Sequence, residues 1–392
     1  MKPRFIFLNS HPIQYFAPMY AYMVQHNAFD ITVWYCSQQS VEKQLDRQFN
    51  VEMNWDIPLL EGYPYTFLKN YARHPSVYNF WGLQNWSIIR RLRKAPKSIV
   101  VINGWQFFLY LAAIVAGKFF GHTICLRGES PLSHELKKSR LKRLLRKILL
   151  GKMLFQLVDY FCYIGVQNKA FYRHYGVPES KLIFTPYSVD NRRFQGFLPK
   201  NDAEKAAVRR TLHLPENEVI ILYSGKYIDK KRPQDLLQAF LSLPQKNCSL
   251  VLLGDGPLRA HLEEIIQLSG NKKVILTGFV NQAEIPHYYA AADIFVMCSE
   301  AGETWGLSVN EAMNLALPLV ISDEVGCAAD LVEPGVNGFV YPVGDIAALS
   351  NYLTTLINDG TLRRKFGAAS LKKVNQYSYQ EITDHLSTLP LG

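Results

Sequence analysis

Short β-branched and aromatic runs alternate with helix-like patterns along this chain, and they do so in two series. The first series predicts strands over 5–8, 31–35, 98–102, 122–126, 160–164 and 182–185. The second predicts them over 219–224, 249–253, 274–277, 294–297, 319–321 and 338–340. Strands that alternate with helices build parallel sheets, because each crossover carries the chain back along a sheet face. At 392 residues the chain is too long for one ordinary core. The expected fold class is therefore α/β, with two Rossmann-like parallel-sheet domains facing each other across a cleft. Ligands of such sheets bind at the C-terminal ends of the strands. The polar, aperiodic stretch TPYSVDNRRFQGFLPKNDAEK predicts the linker. The expected division is a first domain over 1–190, a linker over 191–215 and a second domain over 216–370.

Charge is uneven. Residues 1–190 hold 24 Lys and Arg against 11 Asp and Glu, so the formal net charge of +10 belongs entirely to the first half. Such asymmetry points to an anionic partner, either a membrane surface or a charged substrate. No nucleic-acid recognition motif accompanies the charge, so nucleic acid is not an expected partner. Within 134–152, Leu136, Leu141, Leu144, Leu145, Ile148 and Leu149 recur at helical spacing. Lys137, Lys138, Arg140, Lys142, Arg143, Arg146 and Lys147 stand between them. This reads either as a basic amphipathic helix lying on the anionic inner leaflet or as a helix packed on its own domain with a solvated basic face. The coincidence with the charge excess favours membrane contact.

The longest apolar run, 107–117, is shorter than the ~18–20 residues a bilayer span needs, so 107–116 predicts a buried helix. The N-terminal MKPRFIFLNSHPIQY reads as a first strand and not as a signal peptide. The six cysteines are scattered without CxxC or His pairing, which predicts reduced, buried thiols in a cytoplasmic protein.

Three stretches of the second half can carry chemistry. In YSGKYIDKKRPQDLLQAF a strand runs into Gly225, Lys226 and Lys231 before Arg232-Pro233 opens a helix. Lysines in such a loop can reach a phosphate, or can simply form a solvated basic loop. In VLLGDGPLRAHLEE the absence of a third glycine disfavours a nicotinamide or flavin site. There, Gly254 and Gly256 predict a tight turn or a close backbone approach. In SEAGETWGLSVNEAMNLALPLVIS, Glu303 and Glu311 flank a helix start near Leu307 or Ser308. The amides near Gly306 predict an anion site, and carboxylates beside it suit sugar hydroxyls. A glycosidase-like acid/base pair is the rival role. A capping Glu303 with a surface Glu311 is the purely structural alternative.

The order SE…GLSVNEAMNLALPLVIS…VG…LVEPGVNGFVYPVGD resembles the retaining nucleotide-sugar glycosyltransferases of family 4, which have the two-domain GT-B fold. The GK…K loop, GDGPL, LTGFV, AADIFV and NGFVYPVGD follow in the family's order, and PYSVDNRRF matches its segment leading out of the first domain. The first half matches in organisation only. The resemblance implies a C-terminal helical segment, 371–392, that crosses back to the first domain. It also implies that Glu303 contacts hydroxyls of the transferred sugar, that amides from Trp305 through Gly306 to Leu307 hold the distal phosphate, and that Glu311 binds the ribose. Lys226 and Lys231 match the basic pair that neutralises the diphosphate, although position 226 is more often arginine. Phe279 and Val280 fall where the family's backbone meets the nucleobase.

In the first half, His11 and Gln14 follow the first strand, where many relatives have a glycine-rich loop. His11 reads equally as a donor to a phosphate or sugar oxygen and as a turn histidine held by Pro12. Arg127 and Glu129 follow the fourth strand, where relatives carry a cleft histidine. Glu129 can accept hydroxyls in its place, or Arg127 can bind an anionic acceptor. Asn103, Gly104 and Trp105 end the third strand and can shape the acceptor pocket, although Trp105 reads equally as packing.

The expected activity is retaining transfer of a hexosyl group from a nucleoside-diphosphate sugar, with uridine the default base, to a lipid-linked or surface-polysaccharide acceptor. No DxD and no metal-ligand cluster is present in the sequence, so neither metal nor cofactor is expected. Lys226, Lys231, Glu303, His11 and Glu129 are the expected catalytic groups. An epimerase or phosphorylase on the same fold, or an inactive membrane-associated binding protein, are the competing expectations.

Overall fold

The computed structural model describes residues 2–39, 44–46, 51–53, 56–244 and 247–390. The chain divides into two compact units. One comprises 1–44, 57–187 and 379–392, and the other 45–56 and 188–378.

In chain order the first unit's strands are β1 (Arg4–Asn9), β2 (Asp30–Tyr35), β5 (Tyr65–Phe67), β6 (Ile99–Asn103), β7 (Thr123–Arg127), β8 (Tyr160–Tyr163) and β9 (Leu182–Phe184). Between β2 and β5 lies a separate two-stranded pair, β3 (Gln44–Asp46) with β4 (Val51–Met53). The seven strands form one sheet in the order β5-β2-β1-β6-β7-β8-β9, with every neighbouring pair parallel. The order reverses between β1 and β6, and this is the switch point where such sheets leave room for a ligand. Apolar side chains such as Leu8, Ile102 and Leu126 fill one core against the helix Phe108–Phe119. The expected buried helix is thus present, although its Val115 and Phe119 are exposed. The edge strand β5 was not foreseen, because three partly exposed residues leave no periodic signal.

The second unit contributes β10 (Val219–Ser224), β11 (Cys248–Leu253), β12 (Val274–Leu276), β13 (Ile294–Met297), β14 (Leu319–Ser322) and β15 (Gly338–Tyr341). They pair in parallel in the order β12-β11-β10-β13-β14-β15, with the switch point between β10 and β13. The inner strands β10, β11, β13 and β14 are buried on both faces and therefore read as largely apolar runs, whereas the edge strands β12 and β15 are only partly buried. Every sequence-expected strand is found, shifted by no more than a residue or two.

Two boundaries differ from expectation. Residues 191–215 are not a free linker: they carry the helices Asn191–Gln195 and Asp202–Thr211 of the second unit. Their polar residues serve as helix caps, with the Asp190 carboxylate accepting from the Arg193 amide and Asn201 from the Glu204 amide. Arg209 is buried, donating to the carbonyls of Ala291, Glu216 and Glu218 and to Asp293. Polar composition alone cannot distinguish such a network from a loop. The second boundary lies at 378 and not 370, because the helix Gly360–Val374 packs on the second unit's helix Leu307–Asn314. Beyond it, the helix Tyr379–Ser387 is part of the first unit, where the Tyr379 hydroxyl donates to the Tyr15 carbonyl at 3.4 Å and the His385 ring meets Phe184.

All six cysteines are buried thiols, none of them in a disulfide. Among the described residues, no helix is long and apolar enough to cross a membrane.

Candidate active site

The second unit's switch point is flanked by two loops, 225–232 after β10 and 298–306 after β13. Sequence and local geometry fix both. After Gly225 the chain turns through Asp229–Lys231 and reaches Arg232 in a left-handed conformation, φ 47°, before Pro233 starts the helix Pro233–Leu241. A non-glycine residue there is strained, and its side chain shows what holds it. The Arg232 guanidinium grips Asp235 through two bonds of 2.6 and 3.1 Å and reaches Glu300 on the other loop at 3.2 Å. The Glu300 amide donates to the Lys230 carbonyl at 2.9 Å, and the Lys230 ammonium donates to the Gly302 carbonyl at 3.3 Å.

Across this seam the Lys231 ammonium forms an ion pair with the Glu303 carboxylate, and both side chains are largely buried. The structure therefore brings together one cation and one acid that the sequence places 72 residues apart. It also adds Arg232, Asp235 and Glu300, which sequence reasoning missed. Their signal was present in KKRPQD and SEAGE, but nothing in either segment says that it faces the other.

The second loop ends at Gly306, φ 101°, immediately before the helix Leu307–Asn314. A Cβ here would lie 2.9 Å from the Met297 sulfur and 3.1 Å from Val325, so only glycine fits. The loop's carbonyls are held from the other side, Glu303 by the Gly326 amide at 3.1 Å and Trp305 by the Cys327 amide at 3.0 Å. The Val309 amide donates to the Gly306 carbonyl at 2.9 Å, and no side chain caps this helix, so the amides of Leu307 and Ser308 stand at an open helix start that suits an anion. The Trp305 ring is buried, with its indole N–H donating to Asn310 at 2.8 Å, so Trp305 offers backbone and not an aromatic surface.

Glu311 is not a surface residue. It is buried, and its Oε2 accepts from the Tyr289 hydroxyl at 2.8 Å. Lys226 is the second residue of the first loop, its carbonyl accepting from the Tyr223 hydroxyl at 3.0 Å. Gly254, φ 143°, lies where a Cβ would collide with the Gly225 carbonyl, so the close approach expected of this turn is to the neighbouring loop. Its amide donates to the Gly278 carbonyl at 3.2 Å, which sets the half-buried Phe279 and Val280 next in the chain beside that turn.

The first unit gathers its own polar groups at strand ends. His11 follows β1, with Nδ1 2.9 Å from the Ser10 hydroxyl, and burial lowers its pKa to about 4, which leaves the ring neutral at pH 7. Gln14, partly buried, lies one turn on. Asn103 ends β6 and donates to the buried Asn9 at the end of β1. Arg127 ends β7, its guanidinium 4.7 Å from the Phe16 ring and 4.4 Å from the Tyr187 ring. Glu129 accepts a hydrogen bond from the Tyr187 hydroxyl. Trp105 stacks on Phe171 at 5.9 Å and packs in the core, which resolves its two readings in favour of packing. Asn9, Phe16 and Tyr187 were not foreseen. Their relevance comes from lying at or over strand ends, which only the fold reveals.

Two parallel Rossmann-like sheets, the second with a Lys–Glu pair and an open helix start at its switch point, define the GT-B class of fold. Residues 204–373 match the family model described as glycosyl transferases group 1. The chain is 29% identical to the sulfoquinovosyl transferase of Arabidopsis thaliana over 193 residues, 48% of this chain and 36% of that protein. It is 32% identical to the alpha-monoglucosyldiacylglycerol synthase of Acholeplasma laidlawii over 139 residues, 34% of each. The match thus spans about a third of the length of either relative. Among solved structures, the Anabaena protein HepE in complex with UDP matches with a TM-score of 0.73 at 18% identity, covering 99% of this chain and 100% of that one.

Proposed function

We propose that the chain is a retaining glycosyltransferase of the family 4 kind, moving a sugar from a nucleoside diphosphate to a hydroxyl of a lipid-linked or surface-polysaccharide acceptor. The observation that carries this reading is the meeting of Lys231 and Glu303 at the switch point, in the loop that leads into the uncapped start of the helix Leu307–Asn314. The matched family segment and the activities of these relatives point the same way.

On this reading the leaving diphosphate is the charge to be stabilised. Lys231, Lys226 and the amides around Gly306 are preorganised donors for it, and no step is routed through a metal. Glu303, already oriented by Lys231, accepts hydroxyls of the sugar. Glu311, held by Tyr289, accepts those of the ribose, and the backbone at Phe279 and Val280 meets the base. Retention follows when the departing phosphate oxygen takes the acceptor proton while attack comes from the same face, so Glu303 positions and does not form a covalent intermediate. The acceptor belongs to the first unit, with neutral His11, Gln14, Asn103, Arg127 and Glu129 as its candidate contacts. Uridine is the proposed base, in keeping with the UDP bound to HepE.

Membrane contact is part of the proposal. The stretch 132–157 is not one helix: Leu132–Leu136 breaks, Arg140–Arg146 restarts on the Ser139 cap, and a wider turn follows over Lys147–Met153. Leu136, Leu141, Leu144, Leu145, Ile148, Leu149 and Met153 are all exposed, interleaved with exposed Arg140, Lys142, Lys147 and Lys152. Apolar groups and cations side by side suit an anionic lipid surface.

A thermal-shift panel of nucleoside diphosphates and their sugars tests the core of the proposal. One nucleotide series raises the melting temperature with increasing ligand, as binding to the native state requires. A panel in which none of them does so contradicts it.

A further inference from the structure

At the C-terminal edge of the first sheet, two buried groups of opposite hydrogen-bonding character stand side by side. Asn103 and Arg127 are register partners on β6 and β7, and Asn9 ends the adjacent β1. Along these strands the residues two positions earlier, Phe7, Val101 and Cys125, are all buried, so the three polar side chains cap an otherwise apolar face.

Arg127 is only 8% exposed. Among the described residues its guanidinium makes no hydrogen bond and no ion pair. Its contacts are the ring faces of Phe16 and Tyr187. Rings cover the face of a guanidinium, whereas its five N–H donors lie along the edge. The neighbouring acid, Glu129, supplies charge at a distance, but its Oε1 takes the Tyr187 hydroxyl. The Asn103 Oδ1 is buried without a hydrogen-bond partner among the described residues. The Asn103 Nδ2 donates to Asn9 Oδ1, which leaves the Oδ1 as the unused acceptor of this amide.

Buried donors and acceptors are nearly always satisfied, and an unsatisfied charged one is the costlier kind. An unused fork of donors beside an unused acceptor is what a ligand carrying both an anion and a hydroxyl would complete. We propose that Arg127 and Asn103 form a recognition site for such a ligand: Arg127 grips a phosphate monoester or carboxylate, and Asn103 accepts from a hydroxyl a few bonds away. The proposal rests on the glycosyl-transfer reading only in identifying that ligand as the acceptor, which makes the acceptor an anionic polyol or hydroxy acid.

Isothermal titration calorimetry on the full chain tests it, with sn-glycerol 3-phosphate, glycolate and neutral glycerol as probes and UDP titrated in parallel. The wild type binds one or both anions and not glycerol, and the stronger of the two identifies the anion chemistry. Arg127→Met weakens that binding by about tenfold or more, as loss of one partner of a buried charged contact does. Asn103→Asp places a carboxylate against the guanidinium, so it weakens anion binding comparably. This second variant keeps the test decisive if Arg127→Met does not fold. UDP affinity stays unchanged in both variants. Absence of anion binding by the wild type, or wild-type anion affinity in Asn103→Asp, overturns the proposal. Absence of UDP binding alone overturns the donor reading and leaves this site standing.

Discussion

The Lys231 ammonium and the Glu303 carboxylate meet across two loops that leave neighbouring strands of one sheet. Because both side chains are largely buried, removing either strands the other. A double-mutant cycle should show this. Lys231→Ala and Glu303→Gln each cost about 1.5–3 kcal/mol, and the double variant costs clearly less than their sum. Urea unfolding of the four proteins reads the coupling, and strict additivity would mean that the pair is an incidental surface contact.

Gly306 is a second fixed point. Gly306→Ala forces a side chain into a left-handed backbone and against Met297 and Val325. The expected loss is about 1–3 kcal/mol in chemical denaturation. Nucleotide binding should weaken with it, since the amides at this helix start move together. Unchanged stability would show that the loop relaxes freely.

His11 sets a pH signature. Its native pKa of about 4 lies below the ordinary 6.5, so between these values the unfolded chain binds a proton that the native state does not. Stability therefore falls as pH drops from about 6.5 to about 4, and no further contribution comes below that. His11→Gln should flatten this part of the profile. Wild-type and variant urea midpoints at pH 7 and pH 4.5 give the comparison, and parallel profiles would place His11 in open solvent.

The basic, apolar segment predicts lipid binding. Liposome flotation with anionic vesicles should recover the wild type, whereas neutral vesicles should not. Changing Arg140, Lys142, Lys147 and Lys152 to Glu should abolish recovery. Arg146 and Lys138 are left alone because both pair with the buried Glu135, at 2.9 Å each. Burial pushes the Glu135 pKa up, but the bonds from Tyr175 and Lys138 and the Arg146 charge outweigh it and hold the carboxyl below its ordinary range. Equal recovery with both lipids, unaffected by the substitutions, would mean that this face is solvated.

The inner strands were legible because fully buried parallel strands leave continuous apolar runs. It failed at 65–67, where a short, partly exposed edge strand leaves none, and at 191–215, where the polar residues prove to be caps and a buried Arg209 network. Glu303, Glu311 and Lys231 were visible as motif residues. Their local roles were not: that Glu303 meets Lys231, and that Glu311 is buried against Tyr289, depends on crossovers that bring distant segments to one switch point. The Arg127 environment was least legible, since Phe16, Asn103 and Tyr187 lie far apart in sequence and converge only at the strand ends.

The central claim is that Lys231 offers its charge to a leaving diphosphate. The direct measurement is release of nucleoside diphosphate from the sugar nucleotide chosen by the thermal-shift panel, for wild type and Lys231→Ala, with and without acceptor. The account predicts that wild-type release rises when acceptor is present and that the variant loses about 2–4 kcal/mol of transition-state stabilisation, roughly 30- to 900-fold in kcat. Wild-type turnover by Lys231→Ala would contradict it.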